Sequence, residues 1–373
     1  MSAGTTTADG LPRWVSLALL PAINITVALL VSALVILAIG EDPAGALWTM
    51  LVGAFGSGTG LGYTLYYATS LIFTGLSVSV AFHAGLFNIG SEGQAYIGGL
   101  GVGLVCLALG GWPWWAVLPL TVLAAMAFGG AWAFIPGYLQ AYRGSHVVIT
   151  TIMFNFLASA LMVYLLVNVL IRPGQMSPES REIDPSLFLP TLHGMLGALG
   201  LEIDATPLNL SFFLALAACL LVWLFIWHTR QGFALRTVGA NEQAAHYAGM
   251  DPRRTVVVAM LISGALAGLL GINEIQGVQH RLMLNFPAGM GFTGIAVALM
   301  GRAHPAGIIP AAILFGALYQ GGAELAFEYQ SISPELVVVI QGVVILFAGA
   351  LEHLFRPALV RLFARRGDRT AEA

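Results

Sequence analysis

Long apolar runs separated by short polar stretches recur from residue 15 to residue 355. A helix needs about 20 mostly apolar residues to cross a bilayer core, with some latitude for tilt. Runs of that kind lie at 15–39, 62–82, 87–109, 113–136, 145–170, 208–228, 256–277, 287–302, 306–326 and 335–355, and they predict about ten transmembrane helices. Two of the ten are irregular. The eighth, 287–302, is short and carries Gly289, Gly291, Gly294 and Gly301; the third, 87–109, is Gly-rich and holds Asn88, Glu92 and Gln94. Both read as interrupted helices. The run 46–56 is too short to cross and is expected to lie on the outer membrane surface. The first run has no clear small-residue cleavage site and is longer than a signal-peptide core, so it reads as a retained span.

Composition removes the alternatives to a membrane protein. Apolar residues make up 58% of the chain and charged residues 9%, where soluble proteins have about 25% charged. So few charges cannot cover a soluble surface, and nothing is polar enough to stay solvated without folding. The expected class is all-α, a polytopic helical bundle forming one domain over 1–373. The formal net charge of −3 gives no reason to invoke nucleic acid. Cys106 and Cys219 both lie in apolar runs and offer neither a metal-ligand spacing nor a disulfide framework.

The arginines set an orientation. Ten spans place both termini on one side. With that side cytoplasmic, the inner segments hold Arg13, Arg143, Arg230, Arg236, Arg253, Arg254, Arg302, Arg356, Arg361, Arg365, Arg366 and Arg369, while the outer ones hold Arg172, Arg181 and Arg281. A split of 12 to 3 is the bias that cytoplasmic loops show. Residues 1–14, the loop 229–255 and the tail 356–373 are then cytoplasmic, and the loop 171–207 is outside.

Two loops are long. The outer one, 171–207, is rich in Pro and acid and reads either as a solvated cap or as a docking surface for a soluble partner. The inner one carries helix signals. Asn241 suits an N-cap and Glu242 the first turn, and Gly249 followed by Pro252 makes a stop. A short helix over about 242–248, between two turns, is expected there.

Polar groups inside spans are costly and mark functional candidates. Glu92 is the clearest. Asn88 lies four residues earlier, so the two are expected to share a helix face, with Gln94 pointing elsewhere. A pore role for Glu92 competes with a tie to neighbouring backbone or to Asn155. Thr151 and Asn155 are also four apart. Asn273, Glu274 and Gln276 fall near the outer end of the seventh span, within expected reach of water, and read as structural. Phe87 could stack on a base or sugar, although packing is the commoner use. Gly264 and Gly268 form a small-residue pair for close helix packing. Segments 84–100 and 288–301 both open with Ala-Gly and then bring a Phe, a short polar residue and a Gly close together. Paired Gly-interrupted spans of opposite direction are what a five-plus-five inverted repeat gives, and they point to a transport path.

Four stretches carry a family resemblance. Phe87-Asn88-Ile89-Gly90-Ser91-Glu92-Gly93-Gln94 resembles the permease subunits of bacterial ABC importers, in the branch serving simple sugars and nucleosides, and is closer to the nucleoside than to the ribose permeases. Thr150 to Asn155 resembles that branch's fifth helix, Gly239 to Met250 its cytoplasmic coupling loop, and Gly294 to Arg302 its eighth helix. The resemblance runs from about residue 60 to 355. It implies a multi-pass protein of the bacterial inner membrane that provides the pathway and hydrolyses nothing. It also implies three protein partners: a separate ABC ATPase, a second homologous permease and an extracytoplasmic binding protein. Asn88, Glu92, Gln94, Thr151, Asn155, Phe87 and Thr293 are the candidate pathway residues. Asn241, Glu242, Ala244, Ala245 and Gly249 are the candidates for ATPase coupling; an amphipathic helix lying on anionic membrane lipid is the alternative for that loop. Many importer permeases carry Glu-Ala-Ala, three residues and Gly in that loop; here Gln243 precedes Ala244-Ala245 and the Glu is displaced to 242. The chain has no Lys, hence no phosphate-cradling loop with one, and no cofactor is expected. A secondary transporter driven by an ion gradient is the alternative reading, and its membrane acids are few.

Overall fold

A computed structural model describes residues 19–172, 174–198, 200, 204–329, 331–333, 335–343 and 346. The predicted cytoplasmic segments 1–14 and 356–373 lie outside these. Regular structure among the described residues is helical: α1 Leu20–Ile39, α2 Pro43–Phe55, α3 Gly58–His83, α4 Ser91–Ala108, α5 Trp114–Arg143, α6 Val147–Asn168, α7 Leu192–Gly197, α8 Ser211–His228, α9 Arg230–Ala240, α10 Glu242–Tyr247, α11 Pro252–Gly268, α12 Met290–Met300 and α13 Pro305–Glu328. After a short irregularity α11 continues as a π-helix, Ile272–Gln279. Residues 335–343 are helical too. Extended pairing is confined to two isolated bridges, Ile171 with Ser180 and Thr191 with Asn209.

Six helices are long and apolar enough to cross a membrane: α3, α5, α6, α8, α11 with its π continuation, and α13. The third and eighth predicted spans become α4 and α12. Both begin later than the apolar run suggests, at Ser91 and Met290, because the residues ahead of each are non-helical. The loop 229–255 differs from expectation. Its first part is not a turn but the eleven-residue helix α9, started by Thr229, whose hydroxyl accepts from Gly232 N at 3.0 Å.

The chain separates into two units, one made of its start up to Gly53 with the part from Leu318, the other of Ala54–Ala317. In the first, Gly321 packs on the backbone of Met50, and Gln341 donates to Leu318 O at 3.2 Å. Everything below concerns the second unit. There α3 and α11 form the interior: 83% of α3's and 67% of α11's apolar window is buried, against 22–33% for α5, α6 and α8. Glycines allow the approach. A side chain at Gly264 would run into Gly129 and Ala133, and one at Gly268 into Ala125 and Gly98. The predicted small-residue pair therefore seats α11 against both α5 and α4, with backbones close enough for dispersion to act without a hydrophobic drive.

Candidate functional site

The residues expected on the third span gather around a break ahead of α4. Asn88 is not on the helix. Its Oδ1 accepts from Gly90 N at 2.8 Å, and its Nδ2 donates to Gln94 Oε1 at 2.9 Å and to Ser263 Oγ at 2.8 Å. Ser263 continues to Ser77, and Ser77 to Ser91, each at 3.0 Å. Asn155, from α6, closes the other side. It accepts from Gly93 N at 2.9 Å and donates to Ile89 O at 3.0 Å. Two of these bonds, to Gly90 N at the N-cap and to Gly93 N, satisfy backbone donors at the start of α4 that the helix itself leaves orphaned. Two expectations are thereby corrected. Asn88 and Glu92 do not share a face, because Asn88 precedes the first helical turn. Gln94 does not point elsewhere but pairs with Asn88, which the non-helical backbone swings back over it. Thr151 packs beside Gly90 and bonds its own helix at Val147 O, 2.8 Å. Phe87 is 40% exposed, its ring 5.3 Å from that of Phe82.

Glu92 faces the other interrupted helix. Its Oε1 accepts from Gly289 N at 2.9 Å and its Oε2 from Gly291 N at 2.7 Å. Gly289 is the N-cap of α12 at φ +82°, a conformation glycine adopts freely, and Thr293 Oγ1 bonds back to its carbonyl at 3.3 Å. A side chain on Gly291 would fall on the backbone of Glu92 itself. The two helices therefore meet start to start, and the Glu92 carboxylate, in the first turn of α4, caps the start of α12. Helix N-termini carry partial positive charge, so one carboxylate serves both. From this junction the helices part. α4 runs back along the segment preceding α12, with Tyr96 Oη accepting from Asn285 N at 2.7 Å and Gly103 against Leu282. α12 follows α3, with Gly294 against Thr74 and Val297 against Gly75.

A second polar group lies deeper than the sequence leads one to expect. Asn273, Glu274 and Gln276 are all buried, at 1%, 2% and 0% exposure, and not within reach of water as expected. They lie on the π-helix Ile272–Gln279, a form common at functional sites. Glu274 accepts from Tyr66 Oη at 2.7 Å, Ser70 Oγ at 2.8 Å and Gln279 Nε2 at 3.3 Å. Asn273 donates to Ser70 and accepts from Asn209 and Ser211. The signal was present as polar positions Tyr66, Ser70, Thr74 and Ser77 down one side of α3, spaced for a single helix face. The loop 171–207 closes over this end. Ser180 N and Ile183 N donate to Leu282 O and His280 O at 3.0 and 2.8 Å, and Gln276 Nε2 donates to Leu187 O at 3.0 Å. His280 stacks on Phe188, and burial holds its imidazole below the usual range.

The inner-loop candidates form a fully capped helix. Asn241 Oδ1 accepts from Ala244 N at 2.9 Å, Glu242 occupies the first turn, and Ala245 is buried. Gly249, at φ +80°, ends the helix with Gly249 N to His246 O and Met250 N to Ala245 O, both 3.0 Å, the pair of bonds a left-handed glycine makes possible. Glu242, Gln243, Ala244, His246 and Tyr247 are exposed.

These features define a polytopic helical protein with two helices that start inside the bundle against one another, and a capped helix in a loop between spans. A family model described as branched-chain amino acid transport system / permease component matches residues 60–349, and the chain belongs to that family. Among curated proteins it is 37% identical over 333 residues to the guanosine ABC transporter permease protein NupP of Bacillus subtilis, covering 89% of this chain and 93% of that one. It is 34% identical over 358 residues to the glucose ABC transporter permease protein TsgB13 of Haloferax volcanii, covering 96% and 93%. It is 34% identical over 333 residues to the nucleoside ABC transporter permease protein NupB of Lactococcus lactis, covering 88% and 90%. No solved structure matches the chain.

Proposed function

We propose that this chain is a permease subunit of an ABC importer for nucleosides or simple sugars, with helices α4 and α12 at the translocation pathway. The carrying observation is the Glu92 junction, where two spans start inside the bundle. Interrupted helices whose N-termini face one another are how transport proteins present donors at membrane depth. Ten spans, with both termini cytoplasmic, is our reading: it adds α1, α4, α12 and the helix from 335 to the six long helices and draws its support from the arginine split. The inverted repeat draws support from the two Ala-Gly pairs: Gly85 and Gly289 both take positive φ, +73° and +82°, ahead of the two internal helix starts. The Asn241–Gly249 helix, exposed on most of its surface, is the contact for a separate ATPase. A second permease is the expected mate, since Bacillus subtilis and Lactococcus lactis each have a further relative of this chain, 28% and 30% identical. An extracytoplasmic binding protein is the third partner, and the ion-gradient alternative gains no support.

The test is uptake of labelled guanosine, other nucleosides and glucose by cells expressing the chain together with a second permease, an ABC ATPase and a binding protein from the same organism. Saturable, ATP-dependent uptake of at least one is expected. Gly249→Val should abolish it with the chain still inserted. A side chain at Gly249 would meet nothing within 4 Å, so the cost is the backbone conformation alone, about 1–2 kcal/mol for a left-handed non-glycine. Undiminished uptake by that variant overturns the coupling role.

A further inference from the structure

Between α8, α9 and the start of α11 lies a recess of about 380 Å³ lined by Phe225, Arg230, Leu235, Met250, Arg254 and Val258, among others. That volume is at the small end of the roughly 300–1,000 Å³ of ligand pockets. Its two halves differ. Phe225 sits one turn inside the end of α8, and Val258 lies well inside α11, both on apolar spans. Arg230 and Arg254 sit at the rim, where those spans end, and both are exposed. Among the described residues neither guanidinium has an ion-pair partner or a side-chain hydrogen bond; the one ion pair is Arg281 with Glu179. The only acid lining the recess, Asp251, is engaged: its Oδ1 accepts from the backbone N–H of Arg253 and Arg254 at 3.0 and 3.3 Å, capping α11.

We propose that this recess binds the phosphate headgroup of an anionic phospholipid, with one acyl chain along Phe225 and Val258. Guanidinium forks bind phosphate through paired, charge-assisted bonds. Basic pockets between spans at the cytoplasmic surface are where anionic headgroups sit. A protein occupant fits less well. The recess takes only Gly249 and Met250 from the end of the α10 region, so the exposed face of α10, with Glu242 and Tyr247, stays free for a protein partner while the lipid is bound. The site rests on the cytoplasmic placement of this loop but not on the identity of the solute.

The test uses the full chain purified in neutral detergent, with native mass spectrometry counting retained phosphatidylglycerol against phosphatidylcholine. The wild type should retain phosphatidylglycerol selectively. Arg230→Gln with Arg254→Gln should weaken retention on the order of tenfold or more, as expected for losing charged hydrogen bonds. Arg253→Gln is the control, because Arg253 lies outside the recess, 5.8 Å over the Tyr142 ring, and should leave retention unchanged. If the double variant does not fold, Arg254→Lys, which keeps charge and loses the fork, should still show a partial loss. Equal retention of both lipids, or equal loss in Arg253→Gln, overturns the proposal. So does retention of inorganic phosphate, supplied in place of lipid, that matches retention of phosphatidylglycerol. Unchanged lipid retention with lost co-purification of the ATPase would assign the recess to the protein partner instead.

Discussion

Glu92 and Glu274 are both acids within the helical bundle, and they are held by opposite kinds of partner. Glu92 binds main-chain N–H groups of Gly289 and Gly291. Those groups can only donate, and their positions are fixed by the start of α12. Glu274 binds two hydroxyls and one amide, from Tyr66, Ser70 and Gln279. Hydroxyls both donate and accept and can turn to suit their partner. The first acid is therefore irreplaceable in geometry, and the second sits in a network able to rearrange. A site joining two helix starts needs the rigid kind; a polar patch between packed spans tolerates the other.

The largest effect should come from Gly291→Ala. A methyl group there falls on the backbone N and Cα of Glu92, which have no rotamer by which to yield. Overpacking costs about 1–3 kcal/mol where side chains can move; with backbone on both sides, and both caps of α12 displaced, about 3 kcal/mol or more is expected. Thermal unfolding in detergent measures it. A shift as small as that of a surface alanine would mean the two helix starts are not in contact. Next comes Glu92→Gln. One amide oxygen can still accept, but the NH2 then opposes a backbone N–H, leaving it unpaired at about 1–3 kcal/mol. The same assay should show Gln nearly as damaging as Ala. A Gln variant indistinguishable from wild type would break the contrast, since it would mean Glu92 acts by shape alone.

The residues that defeated sequence reading show what periodicity misses. The six long spans were legible because bilayer thickness demands length, and the α10 helix because Asn241, Glu242 and Gly249 are each local signals. The Gly-interrupted pair was also legible, and α4 and α12 do meet. Side-chain direction within a break was not. Assigning Asn88 and Glu92 to one face assumed a helix running through Asn88, whereas the chain there makes a turn on Asn88's own Oδ1. The burial of Glu274 is missed for a related reason: neither the π-helix nor the loop 171–207 that covers it leaves a mark in local hydropathy.

A smaller effect is expected from Tyr66→Phe. It removes one donor to Glu274 while keeping the ring, which is 8% exposed. Gln279 and Ser70 remain on the carboxyl group, so the loss should be that of a single hydrogen bond, about 1 kcal/mol. Read as a stability change in detergent, a value approaching that of Glu92→Gln would place the two acids in one class after all.

The smallest effect should be that of Glu274→Gln, and it tests the contrast most sharply because the same substitution is costly at residue 92. The new side chain can keep its oxygen where Tyr66 and Gln279 donate and turn its NH2 towards Ser70. Ser70 Oγ already accepts from Asn273 Nδ2 at 2.8 Å and has a second lone pair for the new donor. Its own proton can then turn to the carbonyl one helical turn back, a bond serines in helices readily make. No buried donor is stranded, so the change should stay below about 1 kcal/mol, within the range of exchanging one satisfied hydrogen bond for another. Unfolding of the two Gln variants side by side decides it. A Glu274→Gln loss equal to that at residue 92 would show that the carboxyl group of Glu274, and not the hydrogen-bond count, is what the π-helix is built around.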